Sequence, residues 1–227
     1  MGYEVNFMDI QKLNQELSAI LRKRTSVASL EEWRKKSAES DVPLFDYRFD
    51  HVLRVVRTAH RLAKLTGADE EIVVAAAWLH DIAKPSAVYP VEKHADKSAK
   101  IAEEILRDIK FPEEKIPAVI DAIEKHAGLI NYNKVEPLEA AIVWDADKLV
   151  KIGAIGIVHS VMLQPILFPG QSILGVMENL IKFIPLAEKI VRSFNTSYAR
   201  KAGEERIKSL KEFAASLKKE LELFDLE

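Results

Sequence analysis

Apolar residues recur along this chain at the three- and four-residue intervals of a helix, and the alternation of a half-buried strand is scarce. Over 9–24, Ile10, Leu13, Leu17, Ile20 and Leu21 fall on one stripe behind Asp9, a good N-cap. Ser29 and Glu32 have the spacing of a capping box, which opens another helix. After the connector "DVPLFDY" a long helix is predicted over 48–65, closed by Gly67. The next runs from about Asp69 to Pro85, whose ring cannot continue it. A polar loop, "SAVYPVEKH", leads to a helix over 94–109. "FPEEKIPAVIDAIEKHAG" starts with a proline in its first turn and stops at Gly128. From Pro137 the segment "EPLEAAIVWDADKLVKIGAIGIVHSV" reads as helical, with glycines that predict close packing on a neighbour. Two more helices are predicted over 172–194 and 196–223. The fold class is therefore all-α: a helical bundle over 43–227 behind an N-terminal helical extension over 1–42.

Composition narrows what such a bundle can do. At 48% hydrophobic residues the 227-residue chain can fill a sizeable core, and 30% charged residues suit a water-facing surface. The net charge is −2 with acids and bases intermixed, so the basic stripe of a nucleic-acid binder is missing. There is no cysteine, which excludes disulfides, thiolate metal sites and cysteine nucleophiles. The opening "MGYEVNFMDIQKLNQ" lacks the regions of a signal peptide. The most apolar stretch, "GAIGIVHSVMLQPILFPG", is interrupted by His159, Ser160, Gln164 and Pro165 and makes a poor membrane span. A cytoplasmic protein with neither membrane nor nucleic acid as partner is expected.

The chemistry centres on "AAAWLHDIAKP", where an apolar run ends in adjacent His80 and Asp81. Burying an unpaired polar group costs about 2–7 kcal/mol, and a charge costs more. A capping role explains one of these side chains but not both. His51 lies early in the first long helix, His94 opens a helix, His126 ends one, and Asp145 and Asp147 sit in "WDADKLV". Helix ends from different parts of the chain can converge at one end of a bundle. Imidazole with carboxylate is the ligand mix of Zn, Fe, Mn, Ni or Co. No serine elbow, Gly-rich phosphate loop or dinucleotide fingerprint competes. Ordinary readings stand beside this one. His60 and His159 read as surface or core histidines, Asp145 and Asp147 as partners for Lys148 and Lys151, and His94 as a solvated residue of a polar segment.

In order, His51, His80-Asp81 and a downstream Asp in an "AD" helix resemble the signature of the HD-domain metal-dependent phosphohydrolases. "YRFDHVLRVVRTAHRLA", "DADKLVKIGAIGI" and "FNTSYARKAGEERIKSLKEF" are similar to that superfamily too, and resemble most its small uncharacterised bacterial and archaeal members. The resemblance spans about 48–217. It implies His51, His80, Asp81 and Asp147 as ligands of a primary metal, with Asp147 preferred because it follows the Ala of "AD". It implies His94 and His126 as ligands of a second metal bridged by Asp81, or as catalytic groups facing the phosphate. One or two divalent ions (Mn, Fe, Co, Ni or Zn, with Mg an option) would lower the pKa of bound water, to about 7 in favourable cases, and polarise a phosphoryl oxygen.

Arg48, Lys84 and Lys148 are the cations that the resemblance places on the substrate, with Lys84 also beside the reacting group. The implied substrate is a nucleotide or another small phosphate ester. Two positions depart from close relatives: Val150 stands where they tend to have Asp, and His159 where they tend to have Arg. Alternatives within the same fold are a di-iron oxygenase, which metal identity and oxygen dependence would separate, and a regulatory nucleotide-binding module. A helical scaffold is the bland option. The N-terminal helices would cap the pocket or pair with another subunit, so a homo-oligomer is one expected assembly.

Overall fold

The computed structural model describes residues 31, 34, 35, 38, 46–83, 94–224 and 226. The stripe expected over 9–24, the capping box at Ser29 and Glu32, and Lys84 lie outside the described residues. The chain divides into two compact units, Met1–Asp46 and Tyr47–Glu227. The second is built, among the described residues, from eight α-helices without a strand. They are α1 (Tyr47–Thr66), α2 (Glu70–Leu79), α3 (His94–Asp108), α4 (Ile116–Lys125), α5 (Leu138–Leu149), α6 (Gly153–Leu167), α7 (Ile173–Arg192) and α8 (Ser197–Leu221). The all-α class follows from the helical periodicity, and the elements form where the apolar stripes run.

Helix α5 is the centre of the bundle. Every residue from Ala140 to Leu149 is buried, and α1, α2, α4 and α8 pack around it. The surrounding helices each turn one stripe inward: Val55, Val56, Ala59, Leu62 and Ala63 on α1, and Ile72, Val73, Ala76 and Ala77 on α2. Their starts are capped from the sequence. Asp69 accepts from the backbone N–H groups of Glu71 and Ile72, Ser172 from Gly175 and Thr196 from Ala199.

Two boundaries differ from the sequence reading. Helix α2 ends at Leu79 rather than near Pro85. The Ile82 N–H donates to the Leu79 carbonyl at 3.2 Å in a tight turn, and the Ala83 N–H donates to Ser98 Oγ of α3 at 3.1 Å. A tertiary hydrogen bond thus takes a donor that the helix would have used, which local propensity cannot reveal. The segment from Pro137 is two helices, α5 and α6, bent by 61°. Gly153 makes the corner with φ +81°, and a Cβ there would meet the Arg206 side chain at 2.8 Å. Arg206 also donates from Nη1 to the Leu149 carbonyl at 2.6 Å, satisfying a backbone group at the break. Both sides of the corner are apolar, so periodicity alone runs straight through it. No single helix among the described residues is long and apolar enough to cross a membrane.

Candidate metal centre

Each site residue of these helices prolongs an apolar stripe by one step. His80 follows Ala76 and Ala77 by four and three residues, and His126 follows Ala122 and Ile123 in the same way. His51 precedes Val55 by one turn, His94 begins the stripe of Ala95, Ser98, Ala99 and Ala102, and Asp147 lies four residues after Val143. The stripes that build the core therefore carry these polar groups into it at the ends where the helices meet. His80 is fully buried, and His94, His126 and Asp147 are nearly so. His94, whose polar surroundings also allow a solvated reading, is buried, and the Ala83–Ser98 bond ties the start of α3 to the turn after His80.

Asp81 divides the cluster. Its Oδ2 lies 3.5 Å from His80 Nε2 and 3.9 Å from His51 Nε2, while its Oδ1 lies 3.4 Å from both His94 Nε2 and His126 Nε2. Two groups with ligand atoms within 4.8 Å of one another result: His51, His80 and Asp81, and Asp81, His94 and His126. Asp147 joins the first, with Oδ1 3.0 Å from His51 Nε2 and 3.9 Å from His80 Nε2.

The tautomers of His80 and His126 suit a cation, with His126 Nε2 also 3.1 Å from His94 Nε2. His80 Nδ1 donates to the Ala77 carbonyl at 2.7 Å and His126 Nδ1 to the Ile123 carbonyl at 2.5 Å. A neutral ring whose Nδ1 carries the proton presents its Nε2 lone pair, which is how outer-shell partners orient metal-binding histidines. His80 Nε2 is buried and makes no hydrogen bond among the described residues, so its lone pair is left for an electrophile. Burial, against the pull of Asp147 and Asp81, pushes its pKa down to about 4. The residues present therefore fit a divalent cation.

Asp145 and Asp147, two residues apart on α5, have separate duties. Asp145 faces the start of α8, accepting from Asn195 N (2.9 Å) and Nδ2 (3.0 Å) and from Thr196 N and Oγ1 (both 2.8 Å). All of its capacity is spent on architecture. Burial pushes the Asp147 carboxyl up, but the Lys148 and Lys151 ammoniums with His51 and His80 outweigh it and hold it well below the usual carboxylate range.

Lys148 corrects an expectation. It was expected at the substrate, yet it is fully buried, donating to Asp147 Oδ2 at 2.8 Å and to the His126 carbonyl, with its ammonium 3.9 Å from the Trp144 ring centroid. Its position directly after Asp147 turns it away from the mouth and into the core. Lys151, one helical turn beyond Asp147, lies on the side that Lys148 does not reach.

Beside the cluster opens a cavity of about 500 Å³, lined by Arg48, His51, Asp81, Lys151 and His159 and by an apolar wall that includes Phe49 and Trp78. Their rings lie 6.3 Å apart. Arg48 lines this cavity. Lys151, expected only as an ion-pair partner, and His159, expected as a surface or core histidine, also line it. His159 lies 2.7 Å from Arg54, which in turn bonds Asp50 at 2.7 Å. Burial and Arg54 push the His159 pKa down to about 4. The four-residue step from Asp147 to Lys151 was the available signal for one, and the departure from Arg for the other. His60, by contrast, pairs with Glu70 at the surface as an ordinary histidine.

Acid should weaken the metal-free protein. The unfolded chain protonates His80 near pH 6.5 but the folded one only near 4, so the unfolded state binds more protons between those values. The stability tied to His80 is present above pH 6.5 and is lost as the pH falls towards 4, on the order of 3 kcal/mol. Urea titrations of chelator-treated protein at pH 7 and pH 5 should show the drop, and His80→Gln should reduce it. An equal drop in both proteins would remove His80 as its source.

Known proteins resemble this chain in sequence and in fold. A family model described as HD domain matches residues 48–152. The structure of Bacillus subtilis YpgQ in complex with ADP is 25% identical with a TM-score of 0.58, covering 75% of this chain and 87% of that one. A predicted HD superfamily hydrolase from an uncultured Thermotogales bacterium is 26% identical with a TM-score of 0.52, covering 76% of this chain and 80% of that one. An HD-superfamily hydrolase of Bacillus thuringiensis shares the fold at 22% identity, with a TM-score of 0.59 over 88% of this chain and 98% of that one.

Proposed function

Since the chain belongs to the HD domain superfamily, we propose that it is a metal-dependent phosphohydrolase that cleaves a small phosphate ester by attack of water. His51, His80, Asp81 and Asp147 would hold one divalent cation, and Asp81, His94 and His126 a second. The mixed imidazole and carboxylate donors suit Mn, Fe, Co, Ni or Zn. Bound there, a divalent cation lowers the pKa of water towards neutrality and polarises a phosphoryl oxygen. The observation that carries the reading is the division of Asp81 between two histidine pairs, with Nε2 of His80 and of His126 turned to it by backbone carbonyls.

The chain's own residues do the rest. His80 and His126 are locked before substrate arrives, so little reorganisation is needed during the reaction. Arg48 at the cavity offers a planar guanidinium that grips two phosphate oxygens at once. The apolar wall with Phe49 and Trp78 fits the organic part of the ester, and an aromatic base would lie against those rings. The bound ADP of the Bacillus subtilis structure supports a nucleotide as that ester.

Elemental analysis of purified protein, followed by assays on nucleotides and phosphomonoesters with added Mn, Co, Ni, Mg or Zn, tests the proposal. Two metal equivalents and metal-dependent release of phosphate or pyrophosphate are expected. A metal-loaded protein that hydrolyses none of these esters ends the reading. Arg48→Ala should lower kcat/KM by about tenfold or more while metal content stays constant, and Arg48→Lys should recover only part of the loss. Parent-like turnover by both variants would make Arg48 a plain surface residue.

A further inference from the structure

Lys148 and Lys151 hold Asp147 from two sides, and only one of them can reach substrate. Lys148 is sealed in the core, whereas the Lys151 side chain is 28% exposed and lines the cavity with Arg48 and His159. Its ammonium sits 2.6 Å from Asp147 Oδ1. That same oxygen stands 3.0 Å from His51 Nε2 and 3.9 Å from His80 Nε2. Lys151 therefore occupies the oxygen that a cation shared with those imidazoles would require. Asp147 keeps a second cation on Oδ2 through Lys148, so it stays ionised and in place when Lys151 leaves.

We infer that Lys151 is an exchangeable cation of the centre: it guards Asp147 Oδ1 until a divalent ion takes that oxygen, and is displaced into the cavity to hold a phosphoryl oxygen. The inference rests on the proposed phosphohydrolase reading. Two positive charges crowded on one carboxylate oxygen repel each other, and the flexible stem of Lys151 lets the weaker-bound one move away. With Asp81 and Asp147 engaged by metal, Arg48 and Lys151 are, among the described residues, the charged groups left on the cavity wall, which favours an anion there. Lys151 is then both competitor for the metal and partner of the substrate, and the two roles shift binding in opposite directions.

Calorimetric titrations of the full chain test this with Mn(II) on chelator-treated protein and with inorganic phosphate on Mn-loaded protein. Lys151→Met should bind Mn(II) more tightly and phosphate more weakly, each by about tenfold. Lys151→Arg, which keeps the charge, should retain most of the phosphate affinity. Unchanged or weaker Mn(II) binding overturns the inference, and so does tighter Mn(II) binding with phosphate affinity unaltered. Undetectable phosphate binding by the wild type counts against it equally. Should Lys151→Met fail to fold, Lys151→Gln is read by the same criteria. The opposed shifts without ester hydrolysis by the wild type would sink the phosphohydrolase reading alone, whereas hydrolysis without the shifts would sink only the role of Lys151.

Discussion

Asp81→Ala should abolish hydrolysis by orders of magnitude while the protein remains folded. Both groups of the candidate centre depend on this one side chain, Oδ2 serving His51 and His80 and Oδ1 serving His94 and His126. Removing it takes a ligand from each proposed metal position at once, so metal content should fall with activity. The fold should survive because Asp81 sits in the turn after α2, outside the apolar stripes that pack against α5. Elemental analysis, far-UV circular dichroism and the ester assay on one preparation measure all three quantities. A folded variant that keeps two metal equivalents would show that Asp81 is no ligand. Complete unfolding would instead identify the metal as architectural.

Lys148→Met should cost stability rather than substrate affinity, by about 3–5 kcal/mol, the usual effect of removing one partner from a buried ion pair. The ammonium is held by Asp147 Oδ2, the His126 carbonyl and the face of Trp144, and the variant strips all three of their partner. For a domain of this size the melting temperature should fall by roughly 10 °C or more. Metal binding should weaken as well, because Asp147 and the loop that carries His126 are both positioned by this one group. Burial already pushes the Lys148 pKa down to about 8, although the Asp147 carboxylate pulls it back up. Denaturant titration against the wild type reads the stability loss. A variant of unchanged stability with a raised KM would restore Lys148 to the substrate role expected from the sequence.

The contrast between these two residues shows where sequence reasoning succeeds. A stripe such as Ile72, Val73, Ala76 and Ala77 specifies both that a helix forms and which face is buried. It also predicts that His80 and Asp81, at its end, are drawn towards the interior. The order of His51, His80-Asp81, His94, His126 and Asp147 was legible in another way, as a resemblance to the HD-domain signature. The match of the HD domain model to residues 48–152 agrees with that resemblance.

What the sequence by itself determined is thus local: the all-α class, the inward face of each helix, and the ionisable residues that those faces carry inward. The tertiary structure decided which atoms meet. Periodicity runs unbroken through 150–153, but the left-handed Gly153 against Arg206 turns α5 and α6 by 61°, and the helix beyond that turn carries His159 to the cavity. Asp145 and Asp147 are alike in sequence, yet one holds Asn195 and Thr196 before α8 and the other faces His51, because they leave α5 in different directions. Lys148 and Lys151 are separated in the same way, one sealed against Trp144 and the other open to the cavity. A helical sequence states the angle of a side chain about its own axis. What stands opposite is set by the crossing of other helices, through contacts between residues far apart in the chain.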